Sequence, residues 1–154
     1  MATLWENKTQ LVWAKGKGYE WTQTVEEVQI KINVPKGTKG KDVVFKLTIN
    51  HLTVGLKGQA PVIDVSCFAI IFNFFAQYNF FYLQGQLSHG VIPDDSLWTL
   101  EDNEELYIQL QKIKRHESWA SVCVGNEIDP FTKQEMDKKM MLEKFQREVN
   151  FIFC

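Results

Sequence analysis

Three histidines, His51, His89 and His116, are the side chains of this 154-residue chain best suited to bind a metal or move a proton near neutral pH. Their spacing supports neither role, because no carboxylate or cysteine sits beside them at metal-ligand spacing. The chain has neither an HExxH pair nor a nucleophile elbow. Gly37-Thr38-Lys39-Gly40-Lys41-Asp42 has the composition of a phosphate loop, but its second glycine comes too early, and Asp42 stands where a magnesium-binding hydroxyl belongs. An exposed turn between strands explains it better. The acid pairs Asp94-Asp95 and Glu101-Asp102 carry groups that do acid-base chemistry elsewhere, yet they fall at strand ends where solvated turns account for them. No catalytic residue, metal site or cofactor is expected. What remains is recognition. Trp21, Trp98 and Trp119 lie in or beside strands, where an indole either fills a core or meets a partner. Lys46 and Lys57 project from adjacent strands as charge-selective contacts. These five residues are the candidate partner-binding set.

The net charge of −2, from 17 basic and 19 acidic side chains spread along the chain, gives no polyelectrolyte patch for nucleic acid or an anionic membrane. The first twenty residues hold one short apolar run, Leu11 to Ala14, far below a signal-peptide core. Cys67, Cys123 and Cys154 form no CxxC pair, and an odd count fits a reducing compartment. A cytoplasmic location is the expectation.

The elements that would carry these residues alternate with period two. Val28, Ile30, Ile32 and Val34 alternate with polar residues until Pro35-Lys36-Gly37. Val43, Phe45 and Leu47 do so after Gly40, and Leu52, Val54 and Leu56 follow an Asn50-His51 turn. Trp98 and Leu100, then Leu106, Ile108 and Leu110, flank a bend at Asp102-Asn103. Short alternating strands with no helix between them predict an antiparallel β-sandwich. The period then changes. Asp129-Pro130 reads as an N-cap with proline at the first helical position, opening a helix over 129–148. Glu135 to Lys139 and Glu143 to Arg147 are i, i+4 pairs, and Leu142, Phe145 and Val149 form an apolar stripe that packs back on the sandwich or meets a partner.

Tyr19-Glu20-Trp21-Thr22-Gln23-Thr24, Val54-Gly55-Leu56-Lys57-Gly58-Gln59, Ile63-Asp64, Trp98-Thr99-Leu100-Glu101-Asp102 and Lys112 to Trp119 together resemble the CS domain of the NudC (nuclear distribution protein C) family. The order and spacing agree over most of 19–124. Asp129-Pro130 and Leu142 to Gln146 resemble the helix that follows the domain in short members. The resemblance implies an all-β, seven-stranded antiparallel sandwich of the HSP20-like chaperone fold. It also implies an ATP-independent co-chaperone that binds unfolded protein clients, linked to heat-shock protein 90, the lissencephaly protein and cytoplasmic dynein. Residues 1–18 form an N-terminal segment.

One stretch breaks the pattern. Val65 to Gln84 is uncharged and holds six of the eleven phenylalanines. A membrane span would have to carry Asn73, Gln77 and Asn79 mid-segment and divide strands that must pair. A genuine insertion would expose a large aromatic surface. Removing it joins Ile63-Asp64 to Gly85-Gln86-Leu87, the Ile-Asp-Gly-x-Leu run of the family. Val65-Ser66 is encodable by GTAAGT, a splice donor, and Phe81-Tyr82-Leu83-Gln84 by TTTTATTTGCAG, an acceptor. Val149-Asn150 is encodable by GTAAAT. The expectation is that 65–84 and 149–154 are translated intron.

Overall fold

The computed structural model describes residues 12–16, 18–57 and 80–153. Among the described residues eight strands, one more than expected, run in the order β1 (Ala14–Lys15), β2 (Tyr19–Gln23), β3 (Glu27–Asn33), β4 (Val43–Leu47), β5 (His51–Leu56), β6 (Phe80–Gln86), β7 (Val91–Glu101) and β8 (Glu105–Lys112). Helix α1 (Pro130–Phe153) closes the chain. The strands form a five-stranded sheet, β1-β2-β3-β8-β7, and a three-stranded sheet, β4-β5-β6, with every pairing antiparallel. The extra strand is β1, a two-residue pairing of Ala14 with Trp21 and Lys15 with Glu20.

Alternation built the core as expected. Register aligns Trp21, Ile30, Ile108 and Trp98 in one row across the larger sheet, flanked by the pairs Val28 with Leu110 and Ile32 with Leu106. Leu52, Val54 and Leu56 are fully buried in the facing sheet. Each such side chain contributes about 1.5–3 kcal/mol when withdrawn from water, so the two inner faces hold the sandwich together. At the open edge, Phe45 of β4 meets Trp98 of β7 with ring centroids 6.5 Å apart.

The turns follow their residues with one exception. Asp102 and Asn103 both adopt φ of 53°, and Glu104 N donates to Glu101 O at 3.0 Å, the left-handed pair suited to a tight hairpin. Gly37, at φ 89°, turns the chain after β3, and a single 3₁₀ turn at Gly40–Asp42 leads into a strand instead of the helix a phosphate loop requires. The β4–β5 turn centres on Ile49-Asn50, one residue earlier than Asn50-His51, with Thr48 N donating to His51 O at 2.9 Å. Asn50 does not adopt the left-handed backbone. Tertiary bonds shape this turn, since Ile49 O accepts Val91 N at 2.9 Å and Asn50 O accepts Leu87 N at 2.8 Å.

Edge strand β7 is interrupted. Its pairing with β8 jumps from Ile92 opposite Gln111 to Leu97 opposite Gln109. Pro93, Asp94 and Asp95 occupy the gap. The Ser96 hydroxyl bridges it, donating to Ile92 O at 2.8 Å and accepting Gln111 N at 3.0 Å.

Residues 80–84 of the segment set apart in the sequence belong to β6, and residues 65–79 lie outside the described residues. In β6, Leu83 is buried opposite Val54, and Gln84 lies opposite Thr53. Excision of 65–84 makes Asp64 the neighbour of Gly85, so Asp64 takes the place of Gln84 and Ile63 that of Leu83. Inward and outward parity is preserved, which keeps the register. The deletion variant is therefore expected to unfold cooperatively and to give more soluble protein. Circular dichroism melting checks this, and a non-cooperative melt would contradict it.

Helix α1 begins as its residues dictate. Asp129 Oδ1 accepts Thr132 N at 2.9 Å, satisfying a free first-turn donor, and Pro130 fills the first helical position. It continues to Phe153, past residue 148. The face it buries is not the stripe expected. Met136 and Met140 lie against the sandwich, 1% and 6% exposed, while Leu142 and Phe145 face solvent and Val149 is half-buried. Polar anchors on the buried side determine this rotation.

Candidate protein-binding surface

The anchors converge where β2 and β8 end. Lys112 continues the inward parity of Leu106, Ile108 and Leu110, so its amine enters the core and is only 1% exposed. Nζ donates to Gln23 Oε1 at 3.0 Å, Thr24 O at 2.8 Å and Glu117 O at 2.7 Å. Burial pushes the amine down to about 8 from 10.5, against the opposing charge of Glu117. Gln23 links this amine to the segment after β8: Oε1 accepts Trp119 N at 2.9 Å, and Nε2 donates to Trp119 O at 2.8 Å. Gln23 Nε2 also reaches Met136 Sδ at 3.6 Å, so one amide ties sheet, loop and helix together.

Ion pairs extend the seam. Glu143 Oε2 accepts Val25 N at 3.1 Å, and Arg147 reaches both Glu26 at 2.6 Å and Glu143 at 3.0 Å. The Arg147 hydrogen bond holds the Glu26 carboxyl below its usual range. The Ser118 hydroxyl donates to Asp137, which also pairs with Lys133 at 3.0 Å. Of the two helical pairs expected, Glu143 with Arg147 forms, whereas Glu135 meets Lys138 at 3.2 Å rather than Lys139.

Two sets of apolar side chains face solvent around this end. Phe131, Met141, Leu142 and Phe145 lie on the outer side of α1, each more than half exposed. Ile49 and Ile113, 59% and 49% exposed, meet over Gly90, where an added Cβ would fall 2.8 Å from Ile113 Cδ1 and 3.7 Å from Ile49 Cγ2.

The residues singled out from sequence scatter through the fold. Trp21 and Trp119 are buried, 1% and 0% exposed, which leaves a partner no face of either ring. Trp119 stacks obliquely on His89 with centroids 5.5 Å apart, and its Nε1 is the one buried side-chain polar atom without a partner among the described residues. Trp98 is half-buried on β7. Lys46, in mid β4 opposite Thr53, and Lys57, just past β5, are exposed on one face. Four positions along a strand separate Thr53 from Lys57, roughly 13 Å at the usual rise, so the structure does not bring the two lysines together. Of the cysteines, Cys123 is described; burial pushes its thiol up to about 11.

The sequence reading missed the Gln23–Lys112 network and the Ile49–Ile113 pair. The first had a signal, since period two places Lys112 on the inner face. The second had none, because its members lie 64 positions apart in the chain.

Among the described residues no three His, Cys, Asp or Glu side chains gather as a metal site, and no helix is long and apolar enough to cross a membrane. Comparison with known proteins agrees with the fold. The CS domain profile matches residues 17–112, more than half of the chain. Protein BOBBER 1 of Arabidopsis thaliana is 32% identical over 157 aligned positions, covering 88% of this chain, which spans only 44% of that protein's length. NudC domain-containing protein 2 of Homo sapiens is 31% identical over 132 positions, covering 84% of this chain and 71% of the human protein. The solution structure of the CS domain of human KIAA1068 protein superposes with a TM-score of 0.57 at 23% identity, over 76% of this chain and 83% of that one. The profile match, the human relative and the antiparallel sandwich together place the chain in the CS-domain family, among its NudC-type members.

Proposed function

We propose that the chain is a non-enzymatic co-chaperone and adaptor of the NudC type, holding unfolded protein clients in the cytoplasm and meeting heat-shock protein 90, the lissencephaly protein or the dynein complex. The observation that carries this reading is the set of large apolar side chains left exposed on a well-filled sandwich, Ile49 and Ile113, and on its helix, Phe131, Met141, Leu142 and Phe145. Exposed aromatic and aliphatic groups rimmed by charge are what an unfolded client's apolar segments can bury against. Lys46 and Lys57 add charge selectivity rather than most of the affinity.

Light scattering of a heat-labile client is expected to fall when the full chain is present, equally with and without ATP. Protection no greater than that given by an inert protein of similar size would refute the reading, as would protection that requires ATP.

A further inference from the structure

The segment after β8 presents an unusual combination. Ile113, Lys114, Arg115 and His116 are all exposed, although they lie on a short loop between the buried Lys112 and the buried Trp119. The loop is locked. His116 adopts φ of 68°, a left-handed conformation rare for a residue with a side chain, and such strain persists only where surrounding bonds enforce it. Those bonds are His116 N to Val25 O at 3.0 Å, Glu117 N to Lys114 O at 3.4 Å and Ile113 N to Gly90 O at 3.2 Å, with the Lys112 amine capping Glu117 O from below.

The cations on this turn are only partly compensated. Glu117 is engaged by His89, whose Nδ1 lies 3.0 Å from its carboxylate. Glu26 holds Arg147 at 2.6 Å and stands 3.8 Å from Arg115, which is 67% exposed. Among the described residues Lys114 has no carboxylate within ion-pair distance, as the described pairs involve other side chains. Beside these two cations lies the apolar shoulder of Ile113 and Ile49 over Gly90. Two exposed cations on a fixed backbone beside two exposed isoleucines, in a chain whose net charge is −2, complement an extended segment in which acidic residues flank aliphatic ones.

We infer that this end of the sandwich is a docking site for an acidic, leucine- or isoleucine-bearing peptide segment of another protein, with Lys114 and Arg115 meeting its carboxylates and Ile49 and Ile113 its aliphatic side chains. The inference rests on the protein-binding reading above and names the chemistry of one partner. A backbone held in place before contact loses less freedom on binding than a mobile one, so a locked turn favours affinity as well as specificity.

Fluorescence polarisation tests it, with the full chain and a short labelled peptide in which leucines alternate with pairs of glutamates. A polyglutamate peptide, a lysine-for-glutamate counterpart and a single-stranded oligonucleotide serve as comparison probes. The expected result is binding of the acidic leucine peptide that weakens about tenfold or more in K114E/R115E and several-fold in I113S. Polyglutamate should bind more weakly and the lysine peptide not at all. Thermal melts of both variants should stay close to the parent, because the substituted side chains are exposed and the one ion pair lost, Arg115 with Glu26, is long and solvated. Equal binding by K114E/R115E would overturn the inference, as would equal affinity for polyglutamate or tighter binding of the oligonucleotide. If the parent ignores the peptide yet still protects a heat-labile client, this site falls while the co-chaperone reading stands. Failure in both assays removes both.

Discussion

Replacing Trp119 by alanine is expected to cost about 3–5 kcal/mol, the usual range for a core aromatic, and to loosen the C-terminal helix with it. The indole is fully buried, and its backbone N–H and carbonyl both bond Gln23, the amide that also touches Met136. Removing the ring leaves a cavity in the core beside His89, next to the backbone that Gln23 joins to the helix. Trp21→Ala should cost a similar amount, since its ring fills the centre of the row shared with Ile30, Ile108 and Trp98. Trp98→Ala should cost less, as that ring is half-buried at the sheet's edge. A domain with a total stability of roughly 5–15 kcal/mol would lose a large part of it in either of the first two variants. Urea unfolding followed by circular dichroism measures the effect. Midpoints for W21A and W119A indistinguishable from the parent would show that the core is assigned to the wrong residues.

The second expectation concerns pH. The amine of Lys112 sits near 8 in the folded chain because burial disfavours its charge, against 10.5 for a free lysine. The unfolded chain therefore binds the extra proton between those values, and stability rises with pH across that window. Below pH 8 the folded state bears the full cost of a buried charge, about 3 kcal/mol from the size of the shift. As pH climbs from 8 to 10.5 that cost disappears. Lys112→Met removes the titration, so the stability of the parent minus that of K112M should increase by about this amount between pH 7 and pH 10. Taking the difference cancels the tyrosines, of which Tyr107 is itself pushed up to about 12 by burial and by Glu105. Parallel pH profiles for parent and variant would mean that the amine is not held in the core.

Much of this architecture could be read from the chain because two-residue alternation is a direct imprint of burial on one face. Val28 to Val34, Leu52 to Leu56 and Leu106 to Leu110 needed no other signal, and Asp102-Asn103 and Asp129-Pro130 carried their own turn and cap chemistry. The helix face could not be read the same way. Leu142, Phe145 and Val149 are more apolar than Met136 and Met140, yet the helix is oriented by Glu143, Arg147 and Asp137 reaching loops more than a hundred positions upstream or just past β8. Hydrophobicity along one helix does not contain that information. The burial of Trp21 and Trp119 was hidden for a related reason. A tryptophan in a strand is equally consistent with core and surface, and only register across the sheet placed Trp21 inside. The basic turn at 113–116 lay inside a stretch that matched a family motif, but its exposure depends on backbone bonds to Val25 and Gly90 from other parts of the chain.

The break in β7 bears on how this sheet avoids pairing with other chains. A long, flat strand at the rim of a sheet offers its unpaired amides and carbonyls to any passing extended chain, and repeated addition there is how aggregates grow. Between Ile92 and Leu97 this rim has no regular ladder to copy. Proline lacks a donor, two exposed aspartates repel a close neighbour, and on the paired side a serine hydroxyl, rather than a backbone carbonyl, takes the Gln111 amide of β8, so the backbone here does not run as a regular strand. A co-chaperone of the kind proposed would gain from this, since along β7 its contacts with an extended client would rest on side chains, which can let go.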